Sequence, residues 1–221
     1  MNEMKLELLN TSVVVTAQDH NPTILHPTFL TSVGIVPEDW QLVEPPICTP
    51  AMSTVRYANR ISFIVTMDRF QLKDDAASVE FRASRVPELA SNYIEKLPHV
   101  RYTGVGVNVQ GFVEHSDAEA LLVKRFLKTG AWNTGSLKPQ ALGLRFAYQV
   151  VEGTLRLSCD AGVVRRIEEK AERKGIILDA NYHREITESN RMQETTRAIR
   201  CFAERGEHLL ETAKLILGLE A

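Results

Sequence analysis

The C-terminal part of the chain, residues 187–217, repeats small or apolar residues at alternating spacings of three and four. The residues that follow this spacing are Met192, Thr195, Ile199, Phe202, Gly206, Leu209, Ala213 and Ile216. Such spacing puts all of them on one face of an α-helix. A straight helix of this length spans about 45 Å, at about 1.5 Å per residue. The segment therefore has to lie along a whole sheet or reach a partner, because an apolar stripe is unfavourable in water.

Two coverings fit this stripe. The first is the chain's own sheet, which we favour because helices in proteins are stabilised mostly by tertiary packing. The second is another protein or a second copy of the chain, and both coverings apply if the helix is longer than the sheet is wide. The residues expected at such an interface are Met192, Ile199, Phe202, Leu209 and Ile216.

The composition is that of an ordinary globular protein, with 44% hydrophobic and 24% charged residues. A net charge of −2 gives no general attraction to nucleic acid or to anionic lipid, so we expect neither as a partner. No apolar run approaches the roughly 18 residues that span a bilayer. The N-terminus also lacks the pattern of a signal peptide. These observations predict a cytoplasmic protein.

The residues that most often bind metals are scattered. Cys48, Cys159 and Cys201 are odd in number and far apart, which argues against disulfides and against a zinc site. His20 and His26 lie close to prolines in turn-like sequence, without an acidic or cysteine ligand at a useful spacing. We therefore expect reduced thiols, no bound metal and no cofactor.

Residues 1–50 are predicted to combine an opening strand, near residues 4–17, with an irregular arm. Six of the nine prolines fall in this part, namely Pro22, Pro27, Pro37, Pro45, Pro46 and Pro50. Proline lacks an N–H and has a fixed φ, so this density excludes long regular elements. A short helical turn is expected at residues 28–33.

Residues 51–186 alternate apolar and polar side chains in several runs, as half-buried strands do. The predicted strands are residues 61–67, 79–83, 101–114, 142–150, 155–159 and 176–186, with a turn at 73–75. Helices are expected at residues 87–96 and 116–128. Residues 163–174 fit either a helix or a strand followed by a loop, and we favour the helix. A long helix over residues 187–218 completes the chain.

This order of elements predicts a single α+β domain over residues 1–221. Hairpins of successive strands, with helices between them, indicate a mixed and mainly antiparallel sheet. The helices are expected to pack on one face of that sheet, and the long C-terminal helix is expected to lie with them.

The alternation also predicts a polar face on the side of the sheet opposite the helices. Its candidate ligand-binding residues are Asn108, Gln110 and Asn181, and its candidate catalytic residues are Asp179, His183, Glu185 and Arg145. Carboxylates and imidazole act as acids, bases or metal ligands, and arginine stabilises anions. Gly104 and Gly106 would let a ligand come close to the backbone. The alternative is the ordinary solvated face of an antiparallel sheet, which has the same alternation without any site.

No sequence signature of a nucleophile elbow, P-loop, zinc protease or dinucleotide-binding loop occurs in the chain. Together with the near-neutral charge and the apolar stripe, this predicts a non-catalytic protein-interaction or assembly/regulatory subunit that is oligomeric. The alternative function is a small hydrolase or nuclease that uses the Asp/His/Glu cluster of the polar face. A third possibility is a protein that binds a small anionic ligand near residues 104–108.

Overall fold

The computed structural model describes residues 5–134, 136, 138–165, 171–187 and 189–219. Within these residues the strands are β1 (Leu6–Gln18), β2 (Ile47–Cys48), β3 (Met52–Arg56), β4 (Ile61–Thr66), β5 (Arg69–Asp74), β6 (Arg101–Glu114), β7 (Leu144–Val150), β8 (Gly153–Val164) and β9 (Arg173–Glu185). The helices are α1 (Pro27–Ser32), α2 (Val86–Lys96), α3 (Ala118–Phe126), α4 (Arg191–Arg200) and α5 (Phe202–Leu217). These strands form one sheet in the order β2-β3-β4-β5-β1-β6-β9-β8-β7, and every pairing is antiparallel. The predicted α+β class is confirmed, with the 16-residue α5 at its C-terminal end.

One face of the sheet is apolar because side chains alternate along each strand. In β6, Val105, Val107 and Val109 are each at most 2% exposed. Asn108 and Gln110, at the alternate positions of the same strand, point to the opposite face and are partly exposed. The helices α2, α4 and α5 pack on the apolar face. No helix in the described ranges is long and apolar enough to cross a bilayer.

The C-terminal segment forms two helices instead of one. α4 ends at Arg200 and α5 begins at Phe202, with Cys201 between them at a ψ of 7° rather than a helical value of about −42°. The prediction of one continuous helix over residues 187–218 is therefore wrong. α4 packs against α2 and β6, while α5 packs against a 3-10 turn at Phe81–Ala83 and against β6. The break at Cys201 thus separates a helix that lies on α2 from one that lies on the 3-10 turn.

The apolar stripe of α4 and α5 is covered by the chain's own core. Ile199 and Phe202 are fully buried, and Leu209 is 1% exposed. Met192 and Ile216, near the two ends of the stripe, are partly buried and also pack on the core. The chain's own core therefore covers the stripe. A partner could reach the stripe only if the two helices separated from the sheet.

Two neighbouring parts of the predicted sheet differ in the structure. Residues 79–83 contain the 3-10 turn at Phe81–Ala83 instead of a strand, and the predicted turn at 73–75 coincides with the end of β5. Phe81 is buried because its ring occupies the space above Gly206 of α5. A single anchoring ring therefore explains the apolar residue that the alternation assigns to a strand. β5 itself is absent from the predicted set.

The strands β8 and β9 both extend into residues 163–174. β8 continues through Val164, and β9 begins at Arg173. The helix favoured for residues 163–174 is therefore wrong at both ends, because these residues extend the ladder between the two strands. Residues 166–170 lie outside the described residues.

Gly206 stands where a larger residue would collide with Phe81. A Cβ on Gly206 would lie 2.2 Å from Cδ1 of that ring. We therefore expect Gly206→Ala to lower the free energy of unfolding by about 1–3 kcal/mol, as overpacking does in other cores. In a Phe81→Ala background the same change should be neutral or stabilising, because alanine favours a helix. Urea unfolding as a double-mutant cycle measures this coupling, and equal effects in both backgrounds would contradict the contact.

His20 is a buried histidine that belongs to the core beside α2. It is 2% exposed, and its Nε2 lies 3.1 Å from the hydroxyl oxygen of Tyr93. The Tyr93 ring stacks on Phe70 of β5 with centroids 4.1 Å apart. Burial lowers the pKa of His20, because an apolar environment disfavours the charged ring. The neutral imidazole is therefore the form that the fold stabilises.

Acid should destabilise the fold through His20. The pKa of this residue is lower in the folded chain than in the unfolded chain, where it is about 6.5, so the unfolded chain binds more protons as the pH falls. The stabilising contribution is complete above about pH 6.5 and is lost as the pH drops toward the folded pKa. Between about pH 7.5 and about pH 5, the Tm of the wild type should fall more steeply than that of His20→Gln, which does not titrate. Parallel slopes would count against this role of His20.

Candidate functional site

Amide side chains on the polar face of the sheet form hydrogen-bonded rows across the strands. In the first row, Asn181 of β9 donates to Oδ1 of Asn108 in β6 at 2.6 Å. Asn108 donates in turn to Oγ of Ser12 in β1 at 3.3 Å, and Gln71 of β5 donates to the same oxygen at 3.5 Å. This row ties four adjacent strands together on the side away from the helices.

A second row runs parallel to the first. Asn10 donates to Oε1 of Gln110 at 2.8 Å, and Gln110 donates to Oδ1 of Asp179 at 2.7 Å. All three candidate ligand-binding residues, which are Asn108, Gln110 and Asn181, are thus bonded to neighbouring strands. An amide that is bonded in this way has fewer donors and acceptors left for a ligand.

The glycines of β6 make room for side chains of the protein itself. A Cβ on Gly104 would lie 2.9 Å from Oγ1 of Thr16 and 3.1 Å from Cε1 of His183. A Cβ on Gly106 would lie 3.0 Å from Nδ2 of Asn181. Both glycines are buried. The space above them is therefore filled, and this geometry does not favour a small anionic ligand beside the two glycines.

The four candidate catalytic residues lie on the polar face but do not converge. Asp179, His183 and Glu185 all belong to β9, and at about 3.3 Å per residue Asp179 is about 13 Å from His183. Arg145 is on β7, two strands away, and pairs with Asp160 at 2.7 Å. Across the described ranges, no three His, Cys, Asp or Glu side chains gather as a metal site requires. An acid–base pair needs hydrogen-bond reach of about 3 Å, so this arrangement does not favour the hydrolase or nuclease alternative.

The three cysteines are free thiols. Burial raises the pKa of Cys159 to about 12 and also raises the pKa of Cys201. Because the thiolate is the nucleophilic form, neither of these two thiols is activated. Cys48 donates to the carbonyl oxygen of Leu25 at 3.4 Å.

The two edges of the sheet are finished differently. At one edge the last strand is the two-residue β2 of the proline-rich arm, which pairs with β3, and beside it the N–H of Val43 donates to the carbonyl of Arg56 at 3.0 Å. Farther along, the N–H of Thr49 donates to the carbonyl of Met52 at 3.0 Å. The opposite edge is β7, and no strand within the described ranges pairs with its outer side. An unpaired edge strand is a template for another chain.

This open edge is the feature that sequence reasoning missed. β7 has the sequence Leu-Arg-Phe-Ala-Tyr-Gln-Val, without the proline or lysine residues that commonly protect an edge. That signal is visible in the sequence. The sequence alone does not show that β7 is an edge strand. The strand order shows this, because β7 is the last strand of the sheet.

Charged side chains fasten the turn between β7 and β8 to the rest of the protein. Glu152 in this turn pairs with Arg184 of β9, and it also pairs with Arg197 of α4 at 3.1 Å. Arg184 pairs in addition with Glu194 of α4 at 3.3 Å, and the Glu194 side chain is 4% exposed. These ion pairs connect the turn at the end of β7 to β9 and to α4.

Aromatic surface reaches this edge on the helix side of the sheet. The ring of Phe146 contacts Phe126 of α3 with centroids 6.3 Å apart, and it stacks on Tyr148 at 5.8 Å. Tyr148 is 37% exposed, and Val151 in the adjoining turn is 81% exposed. The edge thus offers apolar contacts beside its free backbone groups.

No protein-family model matches the chain, and a search of curated proteins finds no match either. The geometry of the sheet and of its edge is therefore the basis for a functional assignment.

Proposed function

We propose that the protein is a non-catalytic assembly or regulatory subunit, and that it acts as a homodimer joined through β7. The observation that carries this proposal is the unpaired outer side of β7. Pairing with β7 of a second copy would satisfy the backbone groups that this edge leaves to water. The proposed location is the cytoplasm, where free thiols such as those of this chain persist.

The sequence of β7 is suited to antiparallel pairing with itself. A two-fold axis at Ala147 would align the whole strand with its copy. Phe146 of one copy would then face Tyr148 of the other, and Arg145 would face Gln149. Cross-strand aromatic pairs stabilise sheets by about 0.2–1 kcal/mol each, and no like charges meet in this register.

The backbone pattern of β7 favours the same axis. Val150 and Gly153 are partners across a two-residue turn, so we take them as the hydrogen-bonded pair that closes the hairpin. Hydrogen-bonded and free positions alternate along an antiparallel strand. The N–H and C=O groups of Arg145, Ala147 and Gln149 therefore point away from β8. An axis at Ala147 makes these three residues the hydrogen-bonded ones between the copies.

We expect the wild-type chain to form a dimer that depends on concentration, with twice the 24.8 kDa mass of one chain, in light scattering at low and high concentration. Ala147→Pro should give a folded monomer, because proline removes an N–H that points toward the second copy and not toward β8. Ala147→Arg should also give a monomer, because it puts like charges opposite each other at the axis. Ala147→Thr is the matched control, which keeps the N–H, adds no charge and should remain a dimer.

Circular dichroism and thermal melting establish that each variant is folded. If Ala147→Pro does not fold, Ala147→Arg decides the question against the threonine control. The proposal fails if the wild type is monomeric at the high concentration. It also fails if the proline and arginine variants dimerise as well as the threonine variant, because the dimer would then use another surface.

A further inference from the structure

An exposed arginine stands beside Ala147 on the polar face of the sheet. Arg156 of β8 is the register partner of Ala147, and Asn181 of β9 is the next residue in the same row. Ala147 and Arg156 are both exposed. Directly opposite residues of antiparallel strands share one face, so the long side chain of Arg156 has only a methyl group as its neighbour on β7.

The positive charge of Arg156 is not compensated by the described residues, since it forms no ion pair with any of them. Arg145, the arginine of β7, pairs with Asp160 at 2.7 Å. Asp179 lies diagonally across from Arg156 on β9, and its Oδ1 accepts a hydrogen bond from Gln110 at 2.7 Å. Both of these carboxylates therefore have other partners, and the guanidinium of Arg156 faces solvent.

The β7 dimer proposed above brings two copies of Arg156 to one place. With the two-fold axis at Ala147, the two alanines form the centre of a row, and an arginine stands on each side of them. Neighbouring strands are about 4.8 Å apart, so each arginine Cα is about 7 Å from the axis. Long side chains reach across about 7–8 Å on the face of a sheet. The two guanidinium groups can therefore approach each other above the alanines.

The chemistry of this arrangement favours an anion with several oxygens. Two guanidinium groups without counter-charges repel each other, and an anion between them replaces this repulsion by attraction. The planar fork of N–H donors in arginine matches the oxygens of a phosphate group, which it binds through two parallel hydrogen bonds. The small side chains of Ala147 leave space for such a group between the arginines.

We propose that the dimer binds a phosphate-bearing anion on its two-fold axis, between Arg156 of one copy and Arg156 of the other. This site rests on the β7 dimer proposed above, because a single chain supplies only half of it. Each guanidinium donates to phosphate oxygens above the two Ala147 side chains. The bound anion therefore stabilises the dimer relative to the monomer.

Sedimentation equilibrium with inorganic pyrophosphate tests the site, because this anion offers one phosphate group to each arginine. Calorimetry first measures its dissociation constant for the dimer. At ten times that concentration, we expect the dissociation constant of the wild-type dimer itself to fall by about tenfold. A buffer adjusted to the same ionic strength with potassium chloride is the reference, since salt alone screens charges.

Arg156→Gln should dimerise at least as tightly as the wild type without pyrophosphate, because the repulsion between the two charges is gone. It should not respond to pyrophosphate. Arg69→Gln is the matched control, because Arg69 is exposed on the same face of β5, four strands from β8, and its loss changes the net charge equally. This variant should respond as the wild type does.

A wild-type dimer that does not respond to pyrophosphate overturns the anion site and leaves the dimer intact. The site is also overturned if Arg156→Gln responds as strongly as Arg69→Gln, or if both variants lose the response. A wild type that stays monomeric at high concentration, with and without pyrophosphate, overturns the dimer and the site together.

Discussion

Burial of the apolar face of the sheet beneath α2, α4 and α5 is the interaction on which the other features depend. The alternation of apolar and polar side chains along the strands produces this face. Close side-chain packing holds the helices on it. Tyr93 stacks on Phe70, and Phe81 occupies the space above Gly206. Because this packing buries the apolar stripe of α4 and α5, partners and ligands have to bind at other surfaces of the protein.

Long runs of alternating residues are the part of the fold that the sequence predicts well. The alternation gives β6 its correct limits, residues 101–114, because a long period-two run has no competing interpretation. Short runs are less informative. β5 has only Phe70 and Leu72 fully buried between charged residues, and the sequence does not distinguish it from a turn. The two helices on either side of Cys201 pack on different neighbours, α2 for α4 and the 3-10 turn at Phe81–Ala83 for α5, and a helical stripe does not record which elements lie beneath it.

The sequence predicts which residues lie on the polar face, but it does not predict how their side chains are arranged there. Asn108 and Asn181 do share the polar face, as period two requires. A row of cross-strand hydrogen bonds needs the same polar alternation as a ligand site, however, so the pattern alone cannot separate the two. The edge position of β7 follows from the strand order, which the alternation of a single strand does not encode.

The β7 edge is a place where the described chain leaves backbone polar groups without partners in a second strand. At the other edge the sheet ends in the short β2, which belongs to the arm, and a strand of two residues flanked by prolines offers little backbone for further pairing. At β7 the corresponding groups have no such cover in the described chain. The amide rows show that this sheet pairs Asn108, Gln110 and Asn181 from within the chain. The backbone groups of β7 lie beyond the reach of those rows, so a second copy is the natural source of their partners.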